Sequence, residues 1–296
     1  YKEADMFFLV DRLIEADVKL VFFTGGEPFL RKDLFHLMEH ALNSGIKASV
    51  VTNGTLLTEE KAQRLKDLGV SVQVSLHGTE KTHDSLVGVP GAYRKTIQGL
   101  EYLHDSKVPT NINFTLTTSN FSELSYVGET AKSLQFHLSM TRLVLTGKDI
   151  KKSLQFTRET IPDLMHFLVE QKELKRASIQ SPFPMCCLGE NGIPTMLKVY
   201  DMFNVVGCQG GITWCAVSPE GKVRICGAMG REDGDLTRND LRTIWKTDNI
   251  WKCRTFSHIP QECLECAYLS VCTGGCRADA YALSGDAAAP DPLAVL

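Results

Sequence analysis

The sequence predicts an α/β fold with a parallel sheet in its first half, followed by a separate cysteine-rich second half. Three observations favour this division. Apolar residues over the first 150 positions alternate between helical spacing and short strand-like runs. Glycine and polar residues follow the ends of those runs. All ten cysteines lie between Cys186 and Cys276, so the two halves differ in chemistry as well as in pattern.

The alternation can be followed element by element. Apolar residues on one helical face predict helices around 6–14, 33–42, 58–68, 92–104, 124–134, 161–174 and 195–203. Short apolar or alternating runs predict strands at 18–23, 46–51, 70–76, 110–117 and 138–145. Because helices separate successive strands, the connections imply right-handed crossovers and a parallel sheet.

A polar or glycine-rich segment follows each predicted strand, at 25–27, 53–54, 75–78, 117–118 and Gly147. The carboxyl ends of parallel strands converge on one edge of a sheet or barrel, where ligands bind. Any one of these segments could be an ordinary turn. Five of them at one edge indicate a shared site.

The composition excludes several classes of protein. The 296 residues include 32 Lys and Arg against 35 Asp and Glu, and the chain has no basic cluster. This balance argues against a nucleic-acid-binding protein, which needs cations for phosphate contacts. The chain has no apolar run of about 18 residues, which argues against a membrane span. The opening residues lack the pattern of a secretory signal, so we expect a cytoplasmic protein. The first residue is Tyr1, which suggests a fragment.

A domain boundary is predicted near residue 180. A charged helical bridge covers 150–180, and the segment Ser-Pro-Phe-Pro at 181–184 then breaks the pattern. We therefore expect domains at 1–180 and 181–296. In an intracellular chain, cysteines crowded into one domain indicate metal or iron–sulfur ligation more often than disulfides.

Four cysteines are packed into fourteen residues near the carboxyl end: Cys263, Cys266, Cys272 and Cys276. The Cys-x-x-Cys pair lets two thiolates approach one centre from a tight turn. The glycines at 274–275 let the backbone wrap closely and turn amides toward sulfur. This spacing is a strong signal for metal ligation, but four thiolates suit zinc as well as an iron–sulfur cluster.

The other cysteines are less uniform. A hairpin is predicted at 216–225, and it can bring Cys208 or Cys215 close to Cys226. Cys215 could equally be an inward-facing strand residue. At most one of the adjacent Cys186 and Cys187 is expected to be a ligand, because neighbouring side chains rarely share one centre. Cys253 lies in a predicted helix and is expected to pack.

These residues resemble a known family. Thr24-Gly-Gly-Glu-Pro28 is similar to the GGEP segment of radical S-adenosylmethionine (SAM) enzymes, and 51–54, 75–78 and 83–91 resemble the elements that follow it. The second half resembles the SPASM extension, which carries auxiliary iron–sulfur clusters. Its pattern C-x(9–15)-G-x(4)-C, a gap, then C-x(2)-C-x(5)-C-x(3)-C is met by Cys208, Gly221, Cys226, Cys263, Cys266, Cys272 and Cys276. The resemblance implies a partial (β/α)6 barrel of the TIM type that binds SAM at its carboxyl edge.

The resemblance also implies site residues. It places Gly25, Gly26 and Glu27, followed by Pro28, at the amino group of the SAM methionine. It implies that Asn53 and Ser75 lie near the ribose or carboxylate. It assigns Cys208, Cys226 and Cys276 to a first auxiliary cluster, with Cys215, Cys186 or Cys187 as a possible fourth ligand, and Cys263, Cys266 and Cys272 to a second.

The chain departs from the family pattern twice. The family's CxxxCxxC, which holds the SAM-cleaving [4Fe–4S] cluster, does not occur in the sequence. We expect it upstream of Tyr1, and we expect the given chain alone to be inactive. The last cysteine of the family pattern is also missing, because Leu293 and Ala294 follow Asp291-Pro292 where it would stand.

The resemblance implies an oxidoreductase-type enzyme that generates a 5′-deoxyadenosyl radical and modifies a peptide or protein side chain. Its electron donor would be a flavodoxin or ferredoxin. One alternative is an enzyme of tetrapyrrole or haem-type cofactor biosynthesis. A contrasting class is a non-catalytic iron–sulfur or zinc-binding module. The sequence does not identify a general acid or base. His77, His83 and Arg277 are candidates for site residues, but each is more often a satisfied group of the scaffold.

Overall fold

The computed structural model describes residues 3–144, 152–174 and 177–296. Within this part of the chain, the main sheet has six strands in sequential order, β1 to β6: Leu20–Phe23, Lys47–Thr52, Ser71–Ser75, Thr110–Leu116, His137–Arg142 and Ser178–Ile179. The accompanying helices are α1 to α8: Glu3–Glu15, Leu34–Asn43, Glu59–Asp67, Glu80–Val87, Ala92–Asp105, Leu124–Ser133, Ile161–Glu170 and Ile193–Met202. This order confirms the predicted α/β class.

The register of the first strands brings their carboxyl ends to one edge. Strands β1 and β2 are parallel, with Phe23 opposite Val50. Strands β2 and β3 are also parallel, with Thr52 opposite Val74. The segments at 24–27, 53–54 and 76–78 therefore leave the sheet at the same edge, as predicted for a ligand site.

The helices bury one apolar face each. Leu37 and Met38 of α2, Leu65 of α3, and Leu100 and Leu103 of α5 have no exposed surface. Burying a side chain of this size contributes about 1.5–3 kcal/mol. The amphipathic spacing that predicted these helices is thus the spacing that forms the core.

Several elements differ from the prediction. Helix α4 was not predicted, because only its last residues, Leu86 and Val87, are apolar; it ends at Gly88 with a φ of +72°. Strand β5 ends at Arg142, before the predicted end at 145, and helix α7 ends at Glu170 and is followed by a short 3-10 turn. The predicted loop at Gly147 lies outside the described residues.

The second half consists of short elements. The predicted hairpin is confirmed as β7, Ala216–Val217, and β8, Lys222–Arg224, and a third strand, β9, Gly234–Asp235, extends it. Five short helices, α9 to α13, follow in the described chain: Leu241–Ile244, Asp248–Arg254, Gln261–Leu264, Leu269–Cys272 and Arg277–Ser284.

The chain packs as two compact units. One comprises Tyr1–Thr115 with Glu123–Ser139, and the other comprises Leu116–Ser122 with Met140–Leu296. The predicted functional boundary near residue 180 stays a prediction. Among the described residues, we find no helix long and apolar enough to cross a membrane.

Candidate functional site

Glu27 links the loop after β1 to the end of β2. Its Oε1 accepts hydrogen bonds from the Phe29 backbone N–H at 3.1 Å and from the Thr52 hydroxyl at 2.7 Å. Its Oε2 accepts from the Asn53 N–H at 2.8 Å. An ionised carboxylate can accept about four hydrogen bonds. These three bonds fix the side chain and still leave acceptor capacity for a ligand.

The backbone beside Glu27 is open. Gly25 has a φ of +152°, a conformation that favours glycine, and no atom lies within 4 Å of where a Cβ would stand on Gly25 or Gly26. A side chain there would cover the backbone rather than contact the protein. This open backbone next to a fixed carboxylate is suited to the ammonium group of a ligand.

Asn53 forms the next part of the edge. Its Oδ1 accepts from the N–H of Thr55 at 2.9 Å and from the Thr55 hydroxyl at 2.7 Å, which is an Asx turn. Its backbone carbonyl accepts from the Thr96 hydroxyl at 2.8 Å. Thr52 and Thr96, both buried, therefore brace this loop. Sequence reasoning missed both threonines, because threonine in a strand or helix has no distinctive signal.

Ser75 ends β3 and is followed by a pair of stacked histidines. Nδ1 of His83 accepts from the backbone N–H of His77, and Nδ1 of His77 accepts from the backbone N–H of Thr115, each at 3.2 Å. Burial, assisted by the nearby His83, lowers the pKa of His77 to about 4. His77 is therefore neutral near pH 7, with its proton on Nε2.

One group of thiols gathers around Cys272. Cys272 is buried, and burial raises the pKa of its thiol, while the backbone N–H groups of Met185, Gly274 and Gly275 oppose this rise. The charges of Cys263 and Cys272 interact, and Cys263 also interacts with Cys186 and Cys266. Burial raises the pKa of the Cys263 thiol to about 11. The sequence placed Cys263, Cys266 and Cys272 in one cluster, and that grouping stays a prediction.

A second group contains Cys208 and Cys226, which interact electrostatically. Burial raises the pKa of both thiols, and backbone N–H groups oppose this rise: those of Ala228 and Met229 at Cys226, and that of Gly210 at Cys208. That these two cysteines share one cluster stays a prediction.

Cys276 lies in a buried ionic network that sequence reasoning missed. Its N–H donates to Oδ2 of Asp291 at 2.6 Å. Arg142 pairs with the same carboxylate at 2.9 Å and with Asp279 at 2.5 Å. Burial alone would lower the pKa of Arg142, but Asp291, Cys276 and Asp279 outweigh it and raise the pKa. Arg142 is separated from its partners by 149 and 137 residues, so no local pattern could have shown this network.

Two of the remaining cysteines, Cys187 and Cys253, have surroundings typical of packing. Cys187 is buried, and its sulfur contacts the sulfur of Met196 at 3.4 Å. Cys253 lies in helix α10 and is fully buried, as expected for a packing residue. Cys215 is half-buried, and burial followed by the charge of Asp233 raises its thiol pKa to about 11.

Arg277 acts on the scaffold. Its guanidinium donates to the carbonyls of Ala287 at 3.0 Å and Ala289 at 2.7 Å, and also to that of Gly274. The side chain is 2% exposed. It ties the loop before the carboxyl terminus to the glycine pair beside Cys276.

The thiol groups fit iron–sulfur clusters. Within residues 3–144, 152–174 and 177–296, no three or more His, Cys, Asp or Glu side chains are placed to hold a single metal ion. A four-iron cluster offers a separate iron to each thiolate, so its ligands stand farther apart than those of one ion. Thiols are the ligands that such a cluster takes, and six of the ten cysteines lie at the spacing described above.

Comparisons with known proteins agree with this geometry. The family model described as Radical SAM superfamily matches residues 4–127. The AdoMet-dependent heme synthase of Methanosarcina barkeri is 30% identical over 300 residues, which cover 97% of this chain and 85% of that protein. The PqqA peptide cyclase of Rhodopseudomonas palustris is 29% identical over 301 residues, 97% of this chain and 77% of that protein.

A solved structure shares the fold. Native anSMEcpe with bound AdoMet matches 99% of this chain and 84% of its own chain, with a TM-score of 0.73 at 20% identity. This likeness, together with the sequential parallel sheet, confirms the predicted partial barrel.

Proposed function

Since this chain belongs to the radical SAM superfamily and carries a SPASM extension, we propose that it modifies a side chain of a peptide or protein. It is an enzyme of the radical SAM class. The observation that carries the proposal is the edge of the sheet at Glu27, where a fixed carboxylate lies beside open glycine backbone.

The proposed SAM site uses this edge. Gly25, Gly26 and Glu27, followed by Pro28, would hold the ammonium group through backbone carbonyls and the remaining acceptor capacity of the carboxylate. The loop that begins at Asn53, braced by Thr96, and Ser75 at the end of β3 would line the ribose or carboxylate. Because Glu27 is held by three protein donors before any ligand binds, the site needs little rearrangement.

Two auxiliary clusters are proposed in the second half, one on Cys208, Cys226 and Cys276 and one on Cys263, Cys266 and Cys272. A reduced [4Fe–4S] cluster would supply the electron that cleaves SAM, and the carboxyl edge at Glu27 would hold SAM for hydrogen abstraction from the substrate.

The peptide class is supported by the likeness to PqqA peptide cyclase over nearly the whole chain. A second candidate, modification of a tetrapyrrole-type precursor, is favoured by the likeness to the heme synthase at 30% identity. We further propose a cytoplasmic enzyme that receives electrons from a flavodoxin or ferredoxin.

The test is formation of 5′-deoxyadenosine by the complete protein, reconstituted with iron and sulfide without oxygen and reduced with dithionite. We expect SAM cleavage by the wild type and its loss in Glu27→Ala. Stimulation of cleavage by added peptide supports the first candidate, and stimulation by iron coproporphyrin supports the second. Stoichiometric zinc with negligible iron and no SAM cleavage would refute both and leave a metal-binding module.

A further inference from the structure

We infer that Thr273 is a positioning residue, whose hydroxyl holds the segment of Cys208 against the loop that leads to Cys276. The inference rests on the proposed function, because Cys208 and Cys276 are ligands proposed for the first auxiliary cluster. Thr273 lies directly after α12 and is 5% exposed. All three residues belong to the same compact unit.

The backbone of Thr273 has a conformation that β-branched residues rarely adopt. Its φ of +50° and ψ of +29° lie in the left-handed region. Glycine enters this region freely, whereas the branched Cβ of threonine crowds its own backbone there. A residue held in such a conformation persists only where its surroundings fix it, and such residues cluster at functional sites. The contacts of its side chain, rather than its backbone preference, therefore explain a threonine at this position.

The Thr273 hydroxyl connects two cysteine-bearing segments. Its Oγ1 accepts a hydrogen bond from the backbone N–H of Cys208 at 2.7 Å, and its proton is donated to the carbonyl of Cys272 at 2.8 Å. The hydroxyl uses its one proton and one lone pair in these bonds, so its direction is fixed. Cys208 is thus tied through its own backbone to a loop that lies 65 residues away in the sequence.

Gly207 lets the two segments approach this closely. A Cβ on Gly207 would stand 2.6 Å from Cγ2 of Thr273, 2.8 Å from its Oγ1 and 2.8 Å from the backbone oxygen of Val271. Atoms at these distances overlap, so a side chain at 207 would push the segment of Cys208 away from Thr273. The glycine and the threonine therefore fit each other, and the methyl group of Thr273 occupies the space that a side chain at 207 would need.

The segment of Cys208 is held from a second direction as well. A Cβ on Gly210 would stand 2.6 Å from the backbone oxygen of Ile225 and 3.8 Å from the sulfur of Cys208. Gly210 therefore lies close to both Cys208 and the residue that precedes Cys226. Together with the Thr273 hydrogen bond, this contact brings together the three segments that carry the ligands proposed for the first auxiliary cluster.

The test compares Thr273→Val with Thr273→Ser in the complete protein, reconstituted with iron and sulfide without oxygen. Valine keeps the branched shape and removes the hydroxyl, whereas serine keeps the hydroxyl. The readouts are the electron paramagnetic resonance spectrum of the reduced protein and the rate at which EDTA removes iron. In Thr273→Val the Cys208 N–H loses its partner, and iron release from one cluster should become about tenfold faster, the effect of an unsatisfied buried donor. Thr273→Ser should match the wild type.

A steric pair tests the same contact from the other side. Gly207→Ala places a Cβ against Thr273 and should also speed the release of iron from one cluster. The matched control is Gly230→Ala in the same compact unit, where no atom lies within 4 Å of the new Cβ, and its release rate should equal that of the wild type.

The outcomes separate positioning from general misfolding. A wild-type release rate in Thr273→Val, or equally fast release in Thr273→Ser, would overturn the inference. Fast release of all the iron, with both cluster signals lost, would overturn it too, because the effect would then be general unfolding. A wild type that binds no iron would instead refute the proposed auxiliary clusters themselves.

Discussion

Replacing Arg142 with Met should strongly destabilise the compact unit that contains it. The guanidinium pairs with Asp279 and Asp291, whose side chains have no exposed surface. Removing the cation leaves two buried carboxylates without a counter-charge. Breaking a buried ion pair in this way costs about 3–5 kcal/mol, even where the intact pair itself contributes little net stability. We expect a loss of about that size in the free energy of unfolding.

Urea denaturation followed by tryptophan fluorescence measures this loss selectively. The three tryptophans, Trp214, Trp245 and Trp251, all lie in the same compact unit as Arg142. The control is Arg238→Met in the same unit, which removes an exposed ion pair to Asp235, a carboxylate that keeps its contact with Lys222, and should cost no more than about 0.5 kcal/mol.

Acidification provides an internal check on the Arg142 prediction. Without the arginine, burial disfavours the charged form of these carboxylates, and acid converts carboxylates to their neutral form. Lowering the pH from 7 to 5 should therefore reduce the difference between the Arg142→Met variant and the wild type. A loss below about 1 kcal/mol, or one that does not change with pH, would refute the argument that buried unpaired charge is responsible.

Three further predictions concern the first half of the chain. Glu27→Gln keeps the shape of the side chain but removes its charge. The affinity for SAM should therefore fall about tenfold, or about 1.4 kcal/mol, in equilibrium dialysis of the reconstituted protein. Unchanged affinity would exclude a contact between Glu27 and the ammonium group. Gly99→Ala places a Cβ 2.4 Å from the backbone oxygen of Gly54 and should lower the free energy of unfolding by about 1–3 kcal/mol, measured by urea denaturation with circular dichroism. The control Gly26→Ala, whose Cβ would have no atom within 4 Å, should leave that free energy unchanged. Equal effects of the two variants would contradict the packing argument. The unfolded state takes up a proton on His77 near pH 6.5 and the folded state only near pH 4. Stability should therefore be complete above pH 6.5 and fall between these values by about 3 kcal/mol. The His77→Asn variant should lose that part of the pH dependence, and an unchanged slope would contradict the prediction.

Much of the fold and part of the site could be predicted because the signals are local. Leu37, Leu65 and Leu100 lie in three different helices, and each belongs to an apolar face that recurs at helical spacing. All three residues have no exposed surface. Glu27 and Asn53 could be placed at one edge because parallel strands share their direction. Helix α4 was missed because it has a short apolar face, and a helix of eight residues leaves little periodicity to detect.

The sequence by itself determined the order of strands and helices, the edge at which the polar loops gather, and the cysteine spacing from Cys263 to Cys276. These features depend on residues within about a dozen positions of one another. Only the tertiary structure decided which side chains Arg142 neutralises and which cysteine packs against Met196. The physical reason is that ion pairs and sulfur contacts between distant segments depend on how the chain folds back on itself, and no local periodicity records that path.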